Sequence, residues 1–216
     1  MVARSDTSRT RAPRARRAEA ALGARPKRGD PSATRKRLVL AAAQEFEAHG
    51  YHGCDTNGIA RAAGYAPGTF YKHFADKRGV FLAVYNDWVR AEWDAIGALI
   101  EQRRGSATVH SLAESLADAV LAHHRAWPGF RASLRALVAV DPQVRAAHRR
   151  SRRRQLAALR RFGVRSPSGA AFLLLTVERV ADALADGELE ALGLKPKQVR
   201  EFVADQLLTQ LNPQRS

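Results

Sequence analysis

Apolar side chains recur along this chain at intervals of three and four residues, and no stretch alternates apolar with polar as a half-buried strand would. Leu38, Ala42 and Phe46, flanked by Val39 and Ala43, define one apolar face of a first helix. Ser32 or Thr34 is its expected hydroxyl cap, and Gly50 its stop, because glycine reaches the left-handed backbone that ends a helix. A short second helix is predicted from a cap at Asp55 through Ile59 and Ala60 to Ala63, closed by Gly64. Gly64-Tyr65-Ala66 separates it from a third helix that opens at Pro67, where the fixed φ and missing donor do no harm. So short a turn makes the two helices cross steeply, the arrangement that places one helix in the major groove of DNA. Phe70 and Phe74 are expected to point inward against Phe46 and Ile59, leaving Thr69, Tyr71, Lys72 and His73 on the remaining faces. Those four are donors of suitable length for phosphates and base edges.

Helical spacing continues beyond this unit. Asp76 is the expected cap of a long helix carrying Phe81, Val84, Trp88, Val89, Trp93, Ile96 and Ile100, which would join two domains. A loop at Gly105-Ser106 precedes a helix from about Val109 to Trp127, and Pro128-Gly129 breaks it before a shorter one through Leu134 and Leu137. Asp141-Pro142 and Ser166-Pro167 both read as a cap followed by a first-turn proline, opening helices that reach about Phe162 and Gly187. A last helix runs from Pro196 through Leu211. No internal repeat is detectable. The expected class is all-α: a basic tail over residues 1–31, an N-terminal three-helix helix-turn-helix domain over 32–78, and a C-terminal helical domain over 79–216.

Charge narrows the partner. The 216 residues carry a formal net charge of +15, which points to a polyanion: nucleic acid, a membrane surface or an acidic protein. The tail concentrates arginine (Arg4, Arg9, Arg11, Arg14, Arg16, Arg17, Arg25 and Arg28) with little apolar surface, so it is expected to be disordered. It reads either as a solubilising segment or as an arm that reaches into the minor groove. A single cysteine, Cys54, rules out an internal disulfide framework and suits a reducing cytoplasm. No apolar run approaches the roughly 20 residues that span a bilayer, so no membrane partner is expected and the expected location is cytoplasmic. His49, His52 and Cys54 lack a fourth ligand and straddle a helix end, so no metal is expected. No phosphate-cradling loop, nucleophile elbow or paired-histidine helix occurs, which argues against an enzyme and a cofactor.

Phe46, Gly50-Tyr51, Ile59-Ala60, Ala63-Gly64 and the run Gly68-Thr69-Phe70-Tyr71-Lys72-His73-Phe74, followed by Lys77, resemble the TetR-type (TetR/AcrR) transcriptional regulators. Departures fall at Glu45, Cys54-Asp55, Thr56, Gly58 and Ala66 and alter capping more than core. The resemblance implies a homodimer that binds double-stranded DNA at a near-palindromic operator and senses a small-molecule effector in its C-terminal domain. It also implies DNA contacts from Thr69, Tyr71, Lys72 and His73, with Tyr71 and Lys77 on phosphates, Lys72 and His73 nearest the bases, and Asn57 and Thr34 or Arg35 supporting. The family's effector pocket would be walled by helices containing Trp88, Trp93, His123, Trp127, Phe130 and Phe172, with an imidazole or Arg131 as polar handle. The plain alternative for these aromatics is core packing. Arg149 to Arg154 form a basic cluster that reads first as a solvated face. The last two long helices carry more apolar surface than a partly exposed helix needs, which suggests pairing with their symmetry mates. Together these readings describe a ligand-responsive repressor; a sequence-tolerant architectural DNA binder is the alternative that the charge and the tail would fit.

Overall fold

The computed structural model describes residues 30–102 and 108–211, and every regular element among them is a helix. The arginine-rich tail to residue 29 and the expected loop at Gly105-Ser106 lie outside the described residues. Ten helices follow in chain order: α1 Pro31–His49, α2 Thr56–Ala62, α3 Pro67–Tyr71, α4 Lys77–Gln102, α5 Val109–Arg125, α6 Pro128–Val140, α7 Pro142–Arg161, α8 Pro167–Ala185, α9 Glu188–Ala191 and α10 Pro196–Leu211.

Local chemistry sets most of these boundaries. Asp55 Oδ1 accepts from Gly58 N at 2.7 Å, Asp76 Oδ1 from Gly79 N at 2.7 Å and Ser166 Oγ from Gly169 N at 3.0 Å, so three expected caps are in place. The first helix begins earlier than expected. Asp30, not Ser32 or Thr34, caps it by accepting from Ala33 N at 2.9 Å, and Pro31 fills the first turn. Thr34 instead donates its hydroxyl to Asp30 O at 2.9 Å. Gly50 (φ 69°) and Gly64 (φ 80°) take the positive φ that ends α1 and follows α2. The four-residue α9 was not foreseen, being too short to leave a periodic signal.

Helices α1 to α3 form a head whose core does not stop at the head. Phe46 and Phe70 are fully buried, and the Phe46 ring meets Phe81 of α4 at 5.1 Å edge-on. Phe81 also meets Tyr51 at 5.2 Å and Phe130 of α6 at 5.0 Å. One continuous core therefore runs from Leu38 in α1 through Val80 and Val84 in α4 to Leu134 in α6 and Val144 in α7. Two polar clamps reinforce the joint. Glu47 Oε2 accepts from Phe130 N at 3.0 Å, placing a carboxylate at the electropositive start of α6. Ser133 Oγ accepts from Tyr51 N at 2.9 Å. Gly129 is needed there, because a Cβ would lie 2.2 Å from the Glu47 carbonyl oxygen.

A second core lies farther from the head. Ala117, Val120 and Leu121 of α5, Leu173, Val177 and Ala181 of α8, and Val203 and Ala204 of α10 pack together. Helices α8 and α10 thus bury one apolar stripe each within the subunit, and Phe172, Leu175 and Phe202 remain on their outer surfaces. No helix among the described residues is long and apolar enough to cross a membrane.

Because the Phe81 ring touches head and body at once, Phe81→Ala is expected to cost about 3–5 kcal/mol and to lower both regions together. Chemical denaturation followed by tryptophan fluorescence and by far-UV circular dichroism should show one shared transition at lower denaturant; an unchanged midpoint would contradict the shared core.

Candidate functional site

The exposed face of the head is built on a very short element. Helix α3 ends at Tyr71, with Lys72 as its C-cap, so Lys72 and His73 stand on the closing turn rather than in mid-helix. That turn is still regular, since Phe74 N donates to Phe70 O at 3.0 Å. Phe70 and Phe74 are buried and anchor the segment, as their spacing predicts. Tyr71 is 57% exposed, and its hydroxyl lies 2.9 Å from Thr56 Oγ1 at the start of α2. The ring is therefore held at a fixed angle while its face and one lone pair stay open. Lys72 and Asn57 are exposed, and Thr69 and His73 are half-buried beside them. Arg35 reaches across from α1, its guanidinium 4.7 Å from the centre of the Phe74 ring. Thr34 lies on the same helix with its hydroxyl already bonded to the backbone.

Lys77 departs from expectation. Its ammonium donates to Tyr51 O at 2.7 Å and Cys54 O at 2.8 Å and sits 4.5 Å from the centre of the Tyr51 ring. Two of three donors are taken up in closing the loop between α1 and α2, so a phosphate would meet at most the third. A flexible ammonium turns inward beside these loop carbonyls, of which Tyr51 O otherwise receives only the weak Cys54 thiol at 3.8 Å, because a charged hydrogen bond is stronger than a neutral one. Cys54 lies in the same loop, its thiol donating to Gly50 O at 3.4 Å, and burial pushes its pKa up despite Lys77. His49, expected to bind no metal, lies 3.3 Å from Glu45.

Comparison with known proteins was decisive for this face. Residues 38–84 match the family model of the bacterial regulatory proteins, tetR family. The head is a TetR-family DNA-binding domain. A curated relative, the uncharacterized HTH-type transcriptional regulator YdgC of Bacillus subtilis (strain 168), is 36% identical over 55 residues. That match covers 26% of this chain and 28% of the relative, so it speaks for the head alone. The fold similarity extends further. A Mesorhizobium loti MAFF303099 protein described as TetR-family superposes with a TM-score of 0.65 at 19% identity, over 86% of this chain and 98% of the other. Salmonella enterica GusR gives 0.63 at 21%, over 86% and 98%. The fatty acid degradation regulator FadR of Bacillus halodurans gives 0.59 at 18%, over 85% and 97%.

Behind the TetR-family head, helices α4, α5, α6, α7, α8 and α10 line a cavity of about 70 Å³. Trp88, Trp93 and Arg131, three of the residues expected there, line it. The others do not. His123 stacks on Trp88 at 4.5 Å between ring centres, and the neighbouring His124 faces the cavity instead. Phe130 is fully buried in the core shared with the head, with Trp127 packed against that core. Phe172 is 70% exposed on the outside of α8, one position off the buried stripe of Leu173 and Val177. A half-turn error of this kind is invisible in a helix that is apolar nearly all round.

Sequence reading missed the charged wall. Arg131 is 2% exposed, with its Nε 2.6 Å from Asp182 Oδ1 and its Nη2 3.1 Å from Glu178 Oε1. Glu178 also pairs with Arg152, and Asp182 with Arg135 at 3.1 Å. Burial pushes the Asp182 carboxyl upward, but the Arg131 hydrogen bond and the charges of Arg131 and Arg135 outweigh it, leaving it below its ordinary value. Glu92 behaves alike: burial raises it, and the 2.9 Å hydrogen bond from His124 with the neighbouring positive groups brings the net shift downward. His148 nearby is held down to about 4 by burial and by Arg152 and Arg131, so it is neutral at pH 7. The available signal was a charged residue on an apolar stripe: Glu92 follows Trp88 by four, and Glu178 and Asp182 are four apart in the most apolar helix.

Lys77→Met keeps the stem over Tyr51 but removes both hydrogen bonds. It is expected to lower stability by about 1.5–3 kcal/mol per uncompensated charged bond at most, measured by denaturant midpoint, whereas the exposed Lys72→Met should leave the midpoint unchanged. Equal midpoints for wild type and Lys77→Met would return Lys77 to the DNA-facing set.

Proposed function

We propose that this chain is a ligand-responsive transcriptional regulator, acting as a repressor and binding an inverted-repeat operator as a homodimer. The observation that carries the reading is the outer face of the TetR-family head. Thr69, Tyr71, Lys72 and His73 cluster on one short element anchored from beneath by Phe70 and Phe74, with Asn57, Arg35 and Thr34 on the flanking helices. Lys72 and His73 stand nearest the base edges and Tyr71 nearest a phosphate. Lysine makes a point-like contact where arginine would be bidentate, so DNA shape supplies part of the specificity.

The dimer runs through α8 and α10. Phe172 and Leu175 lie one turn apart on the exposed side of α8, and Phe202 is exposed on α10. A two-fold axis beside such a patch buries it against its own copy and sets two heads in successive major grooves. Coupling passes through α6. Its Arg131 lines the cavity, while the adjacent Phe130 N–H and the nearby Ser133 hydroxyl hold the end of α1. An effector that moves Arg131 displaces α6, and with it the head. Binding then favours a head separation that no longer fits the grooves.

Selection of bound sequences from a random DNA pool is expected to return an inverted repeat, and Lys72→Ala to weaken that site by about 1–3 kcal/mol. Strong binding with a steep salt dependence and no enriched motif would favour the architectural reading instead. For assembly, sedimentation at micromolar concentration should show a dimer, and Phe172→Glu with Leu175→Glu a folded monomer; a wild-type monomer would remove the proposed interface.

A further inference from the structure

The unpartnered polar atoms around the cavity are weighted toward donors. Five buried atoms on cavity-lining residues have no hydrogen-bond partner: Trp88 Nε1, Trp93 Nε1, His124 Nδ1, Arg131 Nη1 and Arg152 Nε. The four indole and guanidinium nitrogens are N–H donors that cannot accept, whereas His124 Nδ1 accepts or donates according to the ring's tautomer. The carboxylates of the same wall are already engaged, Glu92 by His124, Glu178 by Arg131 and Arg152, and Asp182 by Arg131 and Arg135. A buried donor without a partner is costly, and four around one cavity are unusual in a folded protein. Beyond these charged and indole groups the lining holds Tyr85, His124 and Gln155, and is otherwise apolar, with Ile96, Val120, Leu159, Leu173, Val177 and Leu207 among it.

Resting on the reading of this chain as an effector-responsive regulator, we infer that the effector is an apolar molecule bearing acceptor oxygens, a carboxylate or carbonyl, which the unpartnered donors of Arg131, Arg152, Trp88 and Trp93 receive. An amine or quaternary ammonium fits less well: it brings no acceptor to these four donors, finds the carboxylates already paired, and has only His124 Nδ1 among the unpartnered atoms to meet. The size of the cavity adds a second element. Drug-sized ligands occupy pockets of about 300–1,000 Å³, whereas this one holds about 70 Å³. An oxygenated ligand of ordinary size therefore enters only as the helices around it part, and so discriminates between two conformations by its volume alone. Arg131, which sits on the helix that grips the head, is the donor best placed to report that parting.

Three probes share a phenylpropyl-sized body and differ in the polar end: 3-phenylpropionate, 4-phenyl-2-butanone and 3-phenylpropylamine. Trp88 and Trp93 report binding through fluorescence excited at 295 nm, and thermal shift gives an independent readout. The acid, the ketone or both should bind saturably and at least tenfold more tightly than the amine; the acid alone assigns a carboxylate, and comparable binding of both assigns a carbonyl oxygen. Trp93→Phe keeps the ring and removes one donor, so it should weaken the oxygenated probe several-fold while leaving the melting temperature of the free protein nearly unchanged. Arg152→Lys should do the same if that variant folds. Amine binding equal to the acid, or no saturable binding of either oxygenated probe up to millimolar concentration, would overturn the inference. DNA selection is run on the same preparation: an enriched inverted repeat without probe binding fails only the effector class, whereas absence of site-specific DNA binding fails the regulator reading itself.

Discussion

Everything that the head can communicate depends on the packing of one phenylalanine. Phe81 is fully buried and its ring meets Phe46 and Tyr51 on one side and Phe130 on the other, all between 5.0 and 5.2 Å. Three aromatic contacts made by a single side chain leave no low-energy way for the head to turn without α4 and α6 following. Interiors packed this densely switch between discrete arrangements rather than deform smoothly. The clamps from Glu47 and Ser133 add direction to that apolar joint, because they tie the end of α1 to the first turns of α6 in particular.

The same helix carries the least comfortable side chain in the molecule. Arg131 is almost wholly buried, leans over the Trp88 ring at 4.9 Å and is held by two carboxylates of α8. A buried ion pair of this sort is a poor source of stability, since removing charges from water costs about as much as their attraction returns. What it does is tie α6 to α8 beside the cavity. Head, joint and cavity are thus successive contacts of a single short helix, with Phe130 and Ser133 facing one way and Arg131 the other.

Much of this was legible beforehand. The helical periods, the Asp55, Asp76 and Ser166 caps, the proline starts and the inward pair Phe70 and Phe74 are consequences of local chemistry, and the structure has them where the spacing placed them. The N-cap of α1 was misplaced by two residues or more, although Asp30-Pro31 carries the same local cap-and-proline signal as Asp141-Pro142 and Ser166-Pro167. The cavity was half legible. Trp88, Trp93 and Arg131 came from helical spacing and family resemblance, but Phe172 turned out to face solvent and Phe130 the core.

The amino-acid sequence by itself determined that the described residues are helical and where most of those helices start and stop, because periodicity, capping and backbone freedom act within a few residues, while the match over residues 38–84 assigned the head to the TetR family. Only the tertiary structure decided which side of α8 is inside, that Lys77 closes a loop, and that Glu92, Arg152, Glu178 and Asp182 gather around Arg131. Those are contacts between residues tens of positions apart, settled by how whole helices pack, and no local pattern records them.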